Sequence, residues 1–102
     1  MHAIHDKTCR MPRHEIRAPV AYWGSNLEGG GTIANISYSG ALIEPASRSA
    51  APGTALKLFV NGVEFSSVEV ASEVVRTTPS GFAVCFKDLG PETLRLLSQL
   101  LD

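Results

Sequence analysis

Residues 68–86 read VEVASEVVRTTPSGFAVCF, and this stretch decides the fold class. Val68, Val70 and Val74 share one parity, whereas Glu69 and Glu73 share the other. Successive side chains of a strand point to opposite faces, so an apolar side and a charged side alternating with period two predict a half-buried strand. The run extends from Val63 towards Arg76, and Thr78-Pro79-Ser80-Gly81 then supplies turn residues. Beyond it Phe82, Val84 and Phe86 alternate with Ala83 and Cys85, which predicts a second strand.

Upstream, the same grammar repeats. Asn61-Gly62 is a strong hairpin signal, since both residues tolerate positive φ, and it follows a predicted strand over Ala55–Val60. Pro45–Thr54 is rich in Ser, Ala, Pro and Gly and reads as a loop. Ala41–Ile43 and Thr32–Ile36 read as strands around a turn or bulge at Ser39-Gly40, Gly24–Gly31 as a hairpin-type loop, and Val20–Trp23 as the first strand. Six short strands joined by turns predict an all-β antiparallel barrel or sandwich. The end of the chain changes period. Gly90-Pro91-Glu92 opens a helix with proline and acid in its first turn. Leu94, Leu97, Leu100 and Leu101 then recur at helical spacing, a stripe expected to pack on the same domain.

A length of 102 residues suits one domain, large enough for a core without staples. No apolar run approaches the roughly 20 residues of a membrane span. The first 17 residues are polar and lack the apolar stretch of a secretion signal, so a cytoplasmic location is expected. Cys9 and Cys85 are far apart in sequence and form no C-x-x-C pair; two reduced thiols are expected rather than a disulfide. Charge is unevenly placed. Residues 1–17 hold Lys7, Arg10, Arg13 and Arg17 against Asp6 and Glu15, while the remainder holds five basic residues against eight acidic ones. A basic arm thus precedes a mildly acidic body. Such an arm can attract an anion, although charge alone favours a solvated tail. It has no helical or strand periodicity over residues 1–12, and it is expected to be mobile without a ligand.

Two local patterns carry the chemistry. Arg13-His14-Glu15-Ile16-Arg17 is an R-x-x-x-R just before the first predicted strand, and Asn35-Ile36-Ser37-Tyr38-Ser39-Gly40 is an N-x-S-x-x-G at the junction of the next two. Each is weak alone. Their order, followed by a long strand, a turn, an aromatic-containing strand and Asp88-Leu89-Gly90-Pro91-Glu92, resembles the PilZ domain family from Arg13 to Leu101. The resemblance implies a six-stranded antiparallel PilZ-type β-barrel with a C-terminal α-helix over residues 13–102, preceded by the basic arm of residues 1–12. It also implies a receptor for cyclic di-GMP, with Arg13, Arg17, Asn35, Ser37 and Gly40 as the binding residues. Arg10 is a further basic candidate. Asn in place of Asp at the head of the second motif is allowed by the family pattern. Pro12 stands where many relatives carry a basic or polar residue, a region that bears on whether one ligand or a stacked pair is bound.

The residue chemistry agrees with that assignment. Cyclic di-GMP offers two phosphates and two guanines. Arginine presents a planar fork that fits a phosphate or the O6/N7 edge of guanine and can stack on a base. Asn35 and Ser37 share a parity, so on a strand both would face one side and could hydrogen-bond a guanine edge. Gly40 removes a Cβ where a ligand or bulge comes close. Binding is expected to order the arm, roughly residues 5–17, against the barrel and so signal to a downstream protein partner.

Other classes fit less well. His2, His5, Cys9 and His14 match no common zinc spacing, so neither a metal nor any cofactor is expected. Outside the first 17 residues there is no histidine, and no paired carboxylates or phosphate loop stand out, which argues against an enzyme. A nucleic-acid polymer would want a basic face with stacking aromatics, and the body is acidic. The alternative is a PilZ-fold protein-interaction module that binds no nucleotide; two intact motifs argue against it.

Overall fold

The computed structural model describes residues 14–60, 68–87 and 89–101. Six strands form β1 (His14–Trp23), β2 (Glu28–Ile36), β3 (Gly40–Ala46), β4 (Ala55–Val60), β5 (Val68–Thr77) and β6 (Phe82–Phe86), followed by α1 (Pro91–Leu101). They close into an antiparallel barrel in the order β1-β2-β3-β6-β5-β4. The alternating pattern left a barrel or a sandwich open; the six-stranded barrel with one C-terminal helix is the architecture the family resemblance implies. Val68, Val70 and Val74 are buried as the parity requires, and Glu69 on the opposite face is exposed. Arg10, Arg13, the arm of residues 1–12, the Asn61-Gly62 pair and Asp88 lie outside the described residues.

Several boundaries move. β1 begins six residues earlier than Val20, so Arg17 lies within a strand and residues 14–17 are not part of a separate arm. The reason is β2, whose far end offers partners to His14 and Glu15. Gly29, Gly30 and Gly31 are in β2 rather than in a loop. Tyr22, opposite Gly29, explains the glycine there. Its side chain is wholly buried, and a Cβ on Gly29 would stand 2.7 Å from its hydroxyl. β3 runs on through a cis Glu44-Pro45 bond to Ala46, where the sequence suggested a loop. On α1 the buried residues are Thr93, Leu96 and Leu97, with Leu100 and Leu101 partly buried. Leu94 is exposed, so the apolar stripe is centred one residue away from the expected one.

The cysteine expectation is corrected. Cys85 is disulfide-bonded, not a reduced thiol. Separation along the chain says nothing about separation in space, and Cys85 sits near the end of β6, at the rim where β1 begins.

Tyr22 ties the barrel to its longest described loop. Its hydroxyl donates to the Arg48 carbonyl at 2.7 Å and accepts from the Arg48 N–H at 3.0 Å. Its ring meets Phe82 edge-on, with centroids 5.1 Å apart, across the core. Replacing Tyr22 by Phe keeps the packing and leaves both Arg48 backbone groups without that partner. The expected cost is about 1–2 kcal/mol, read in urea denaturation as a lower midpoint at unchanged slope. An unchanged midpoint would mean the two hydrogen bonds contribute nothing.

Candidate ligand-binding site

The N-x-S-x-x-G segment is a strand end followed by a turn, and the turn is built by one hydroxyl. β2 stops at Ile36, so Ser37 is not a strand residue and does not share a face with Asn35. Ser37 is buried, and its Oγ accepts the N–H groups of Ser39 and Gly40, both at 3.2 Å. The same hydroxyl lies 3.4 Å from the Gly40 carbonyl and 3.2 Å from the Ser39 Oγ. The Ser37 N–H donates to the Gly40 carbonyl at 2.9 Å. Serine at this position is a local backbone mimic that holds a tight turn. The Ser37 hydroxyl is thus engaged within the turn. Gly40 is buried at the first position of β3, opposite Cys85 of β6, and the Phe86 N–H donates to the Ser39 carbonyl at 2.8 Å. The turn is thereby fastened to a third strand.

Asn35 and Arg17 are brought out by irregular pairing. Along β1 and β2, Glu15 pairs with Asn35, but the next pair is Ala18 with Ile33, so Ile16 and Arg17 together oppose Ala34. Between β2 and β3, Ile33 pairs with Ile43 and Asn35 with Leu42, which leaves Ala34 as an extra residue. Such bulges bend a strand and re-aim its side chains. Here they let Ile33 and Ile36 both enter the core while Asn35 stays half-buried outside it. The result is an open concavity of about 380 Å³ lined by Glu15, Ile16, Arg17, Ala34 and Asn35. Arg17, the last residue of the first motif, and Asn35, the first of the second, share it.

Tyr38, at the tip of the turn, is 40% exposed. Its place inside the motif was visible in the sequence, but only the buried neighbours Ser37 and Gly40 make clear that the ring faces solvent. A larger concavity of about 560 Å³ lies at the other end of β1, lined by Trp23, Gly24, Ser25, Asn26, Leu27, Glu28 and Arg48. Trp23 stacks on Phe59 there, with centroids 4.0 Å apart. It holds none of the motif residues and one cation, so its size does not make it the better candidate for a dianionic ligand.

An arginine and an amide thus converge on one rim of a closed antiparallel β-barrel, beside a tight turn. Comparison with known proteins is more specific. The PilZ domain family model matches residues 10–102, and the chain belongs to that family. Among solved structures it resembles the PilZ domain of CeSA from a cellulose-synthesizing bacterium, at 14% sequence identity and a TM-score of 0.68, over 88% of this chain and 94% of that one. That likeness establishes the shared fold. No curated protein matches the chain. Among the described residues, no helix is long and apolar enough to cross a membrane.

Ser37→Ala should loosen the turn without disturbing the barrel. The expected loss is about 1 kcal/mol of stability, seen as a lower thermal midpoint. Faster amide exchange at Ser39 and Gly40, with β5 and β6 unchanged, would accompany it. Unaltered exchange at those two amides would show that the hydroxyl does not hold them.

Proposed function

We propose that this domain is a receptor for cyclic di-GMP and performs no catalysis. The observation that carries the reading is the convergence of Arg17 and Asn35, one from each sequence motif, on a single open concavity beside the Ser37–Gly40 turn. Membership of the PilZ family supports the choice of ligand.

Each residue has a task in this reading. Arg17 is exposed and presents its guanidinium to a phosphate or to the O6/N7 edge of a guanine. Asn35 supplies an amide, donor and acceptor at once, to a base edge. Ser37 and Gly40 hold the turn that gives the rim its shape. Arg13, immediately before β1, and Arg10 further upstream bring positive charge to the same rim. Mutual repulsion among these arginines is relieved when a dianion lies between them and Asn35. Ligand binding then orders the basic segment ahead of β1 against the barrel. The new surface of segment, ligand and rim is what a downstream protein partner recognises, a population shift rather than a chemical step.

Isothermal titration of the protein with cyclic di-GMP tests this and returns the stoichiometry. Micromolar or tighter binding is expected, about −8 kcal/mol or better, with GTP, GMP and cyclic di-AMP much weaker. Arg17→Ala and Arg13→Ala should each lose about 1–3 kcal/mol of binding while the thermal midpoint of the free protein stays close to wild type. Equal binding of GTP would replace the reading by generic anion binding. Unchanged affinity in both arginine variants would remove the site from this rim.

A further inference from the structure

The concavity that holds Arg17 and Asn35 is also lined by a carboxylate, Glu15. By Coulomb repulsion alone an acid weakens the binding of a dianion, so its presence there needs a reason. We propose that Glu15 is the specificity-determining residue of this site and reads the Watson–Crick edge of a guanine, accepting hydrogen bonds from N1–H and the 2-amino group. This rests on the cyclic di-GMP reading above and adds to it the residue that tells guanine from other purines.

The strands place the three side chains together. Glu15 of β1 pairs with Asn35 of β2. Residues directly opposite on an antiparallel pair project to the same face, with Cβ atoms about 4.5–5.5 Å apart. Glu15 and Arg17 are two apart on β1 and both are exposed, whereas Ile16 between them packs against the core. Carboxylate, guanidinium and amide therefore stand on the outer side of one rim, around an open volume of about 380 Å³. The carboxylate is not committed elsewhere. Among the described residues the side-chain ion pairs are Lys57–Glu69 and Lys87–Glu73, and neither uses Glu15 or Arg17.

The chemistry of the bases gives the carboxylate its task. An ionised carboxylate only accepts hydrogen bonds, through two oxygens. Guanine presents two adjacent donors, N1–H and the 2-amino group, so each oxygen can take one. Adenine presents a bare N1 at the same place, and its lone pair would face the carboxylate with no proton between them. That penalty falls on adenine alone, so the acid discriminates as well as attracts. Hypoxanthine keeps N1–H and lacks the 2-amino group, so it satisfies one oxygen only. O6 and N7, on the neighbouring edge of the guanine, are left to Arg17 or to the Asn35 amide. The positive charge of Arg17, two residues from Glu15, offsets the repulsion between that acid and the ligand phosphates.

The test titrates wild type, Glu15→Ala and Glu15→Gln calorimetrically with cyclic di-GMP, cyclic di-IMP (the same molecule without its 2-amino groups) and cyclic di-AMP. Thermal midpoints of the free proteins verify that each variant is folded. Losing charged hydrogen bonds at an exposed residue should weaken cyclic di-GMP about tenfold in Glu15→Ala. Cyclic di-IMP should bind wild type about tenfold more weakly than cyclic di-GMP, and that gap should close in Glu15→Ala. Cyclic di-AMP, weak in wild type, should lose nothing in the variant. Glu15→Gln, which keeps one acceptor oxygen, should fall between the other two proteins. Equal or tighter binding of cyclic di-GMP by Glu15→Ala would mean that the acid only repels the ligand; it would overturn the assignment and leave the receptor reading standing. An equal loss for cyclic di-GMP and cyclic di-IMP would do the same, because it marks a general effect on the rim. If wild type binds none of the three, the receptor reading itself fails and this assignment falls with it.

Discussion

The closure of the barrel through β1, which pairs with β2 on one side and β4 on the other, is the constraint on which the rest depends. Among the described residues, β1 pairs with β2 from His14 to Trp23 and with β4 from Val20 to Trp23. Pro19 stands at the limit of the second pairing. Proline has no N–H to donate to a ladder, and it is tolerated in a strand where that side needs no partner. The first half of β1 is paired along one edge with β2. That half carries Arg17, and it is where the β1–β2 bulge falls. The bulge takes Arg17 out of a regular pleat and places it in the same concavity as Asn35.

The second half of β1 does the opposite work. Val20 and Tyr22 are buried in the core, and Tyr22 also fastens the loop at Arg48. One strand is thus anchored at its C-terminal end and available at its N-terminal end. The Ser37 hydroxyl completes the rim from the other side, since it holds the turn that the Ser39 carbonyl fastens to β6. Surface ion pairs contribute little to this arrangement. Lys57–Glu69 and Lys87–Glu73, both at 3.0 Å, lie on the outside of the barrel and are solvent-screened.

Much of this was legible in the residues. The valine–glutamate alternation of β5 and the aromatic alternation of β6 specify strands because each needs only local periodicity, and Ala55–Val60 matches β4 at both ends. What was not legible depended on partners distant in sequence. The three glycines of β2 look like a loop until β1 lies opposite them, with the Tyr22 side chain against Gly29 and the Pro45-Ala46 backbone against Gly31. Ser37 looks like a strand residue until its hydroxyl is found holding the Ser39 and Gly40 N–H groups in a turn beyond the end of β2. Leu94 fits a helical stripe, but packing against β5 selects the face of Leu96 and Leu97. The disulfide at Cys85 is the same kind of case, because no local pattern records which strand ends share a rim. At the site, Asn35 and Arg17 were legible as residue types; that they share one concavity was not.

The central claim is that the ligand sits on the rim of β1, β2 and the Ser37–Gly40 turn and orders the segment ahead of it. Amide hydrogen exchange of the reduced protein with and without saturating cyclic di-GMP measures this directly. The account predicts a strong rise in protection at residues 5–17 and 35–40, and little change at Phe82–Phe86 or around Trp23 and Arg48. Protection concentrated at Trp23–Glu28 and Arg48, with residues 5–17 and 35–40 unaffected, would contradict it.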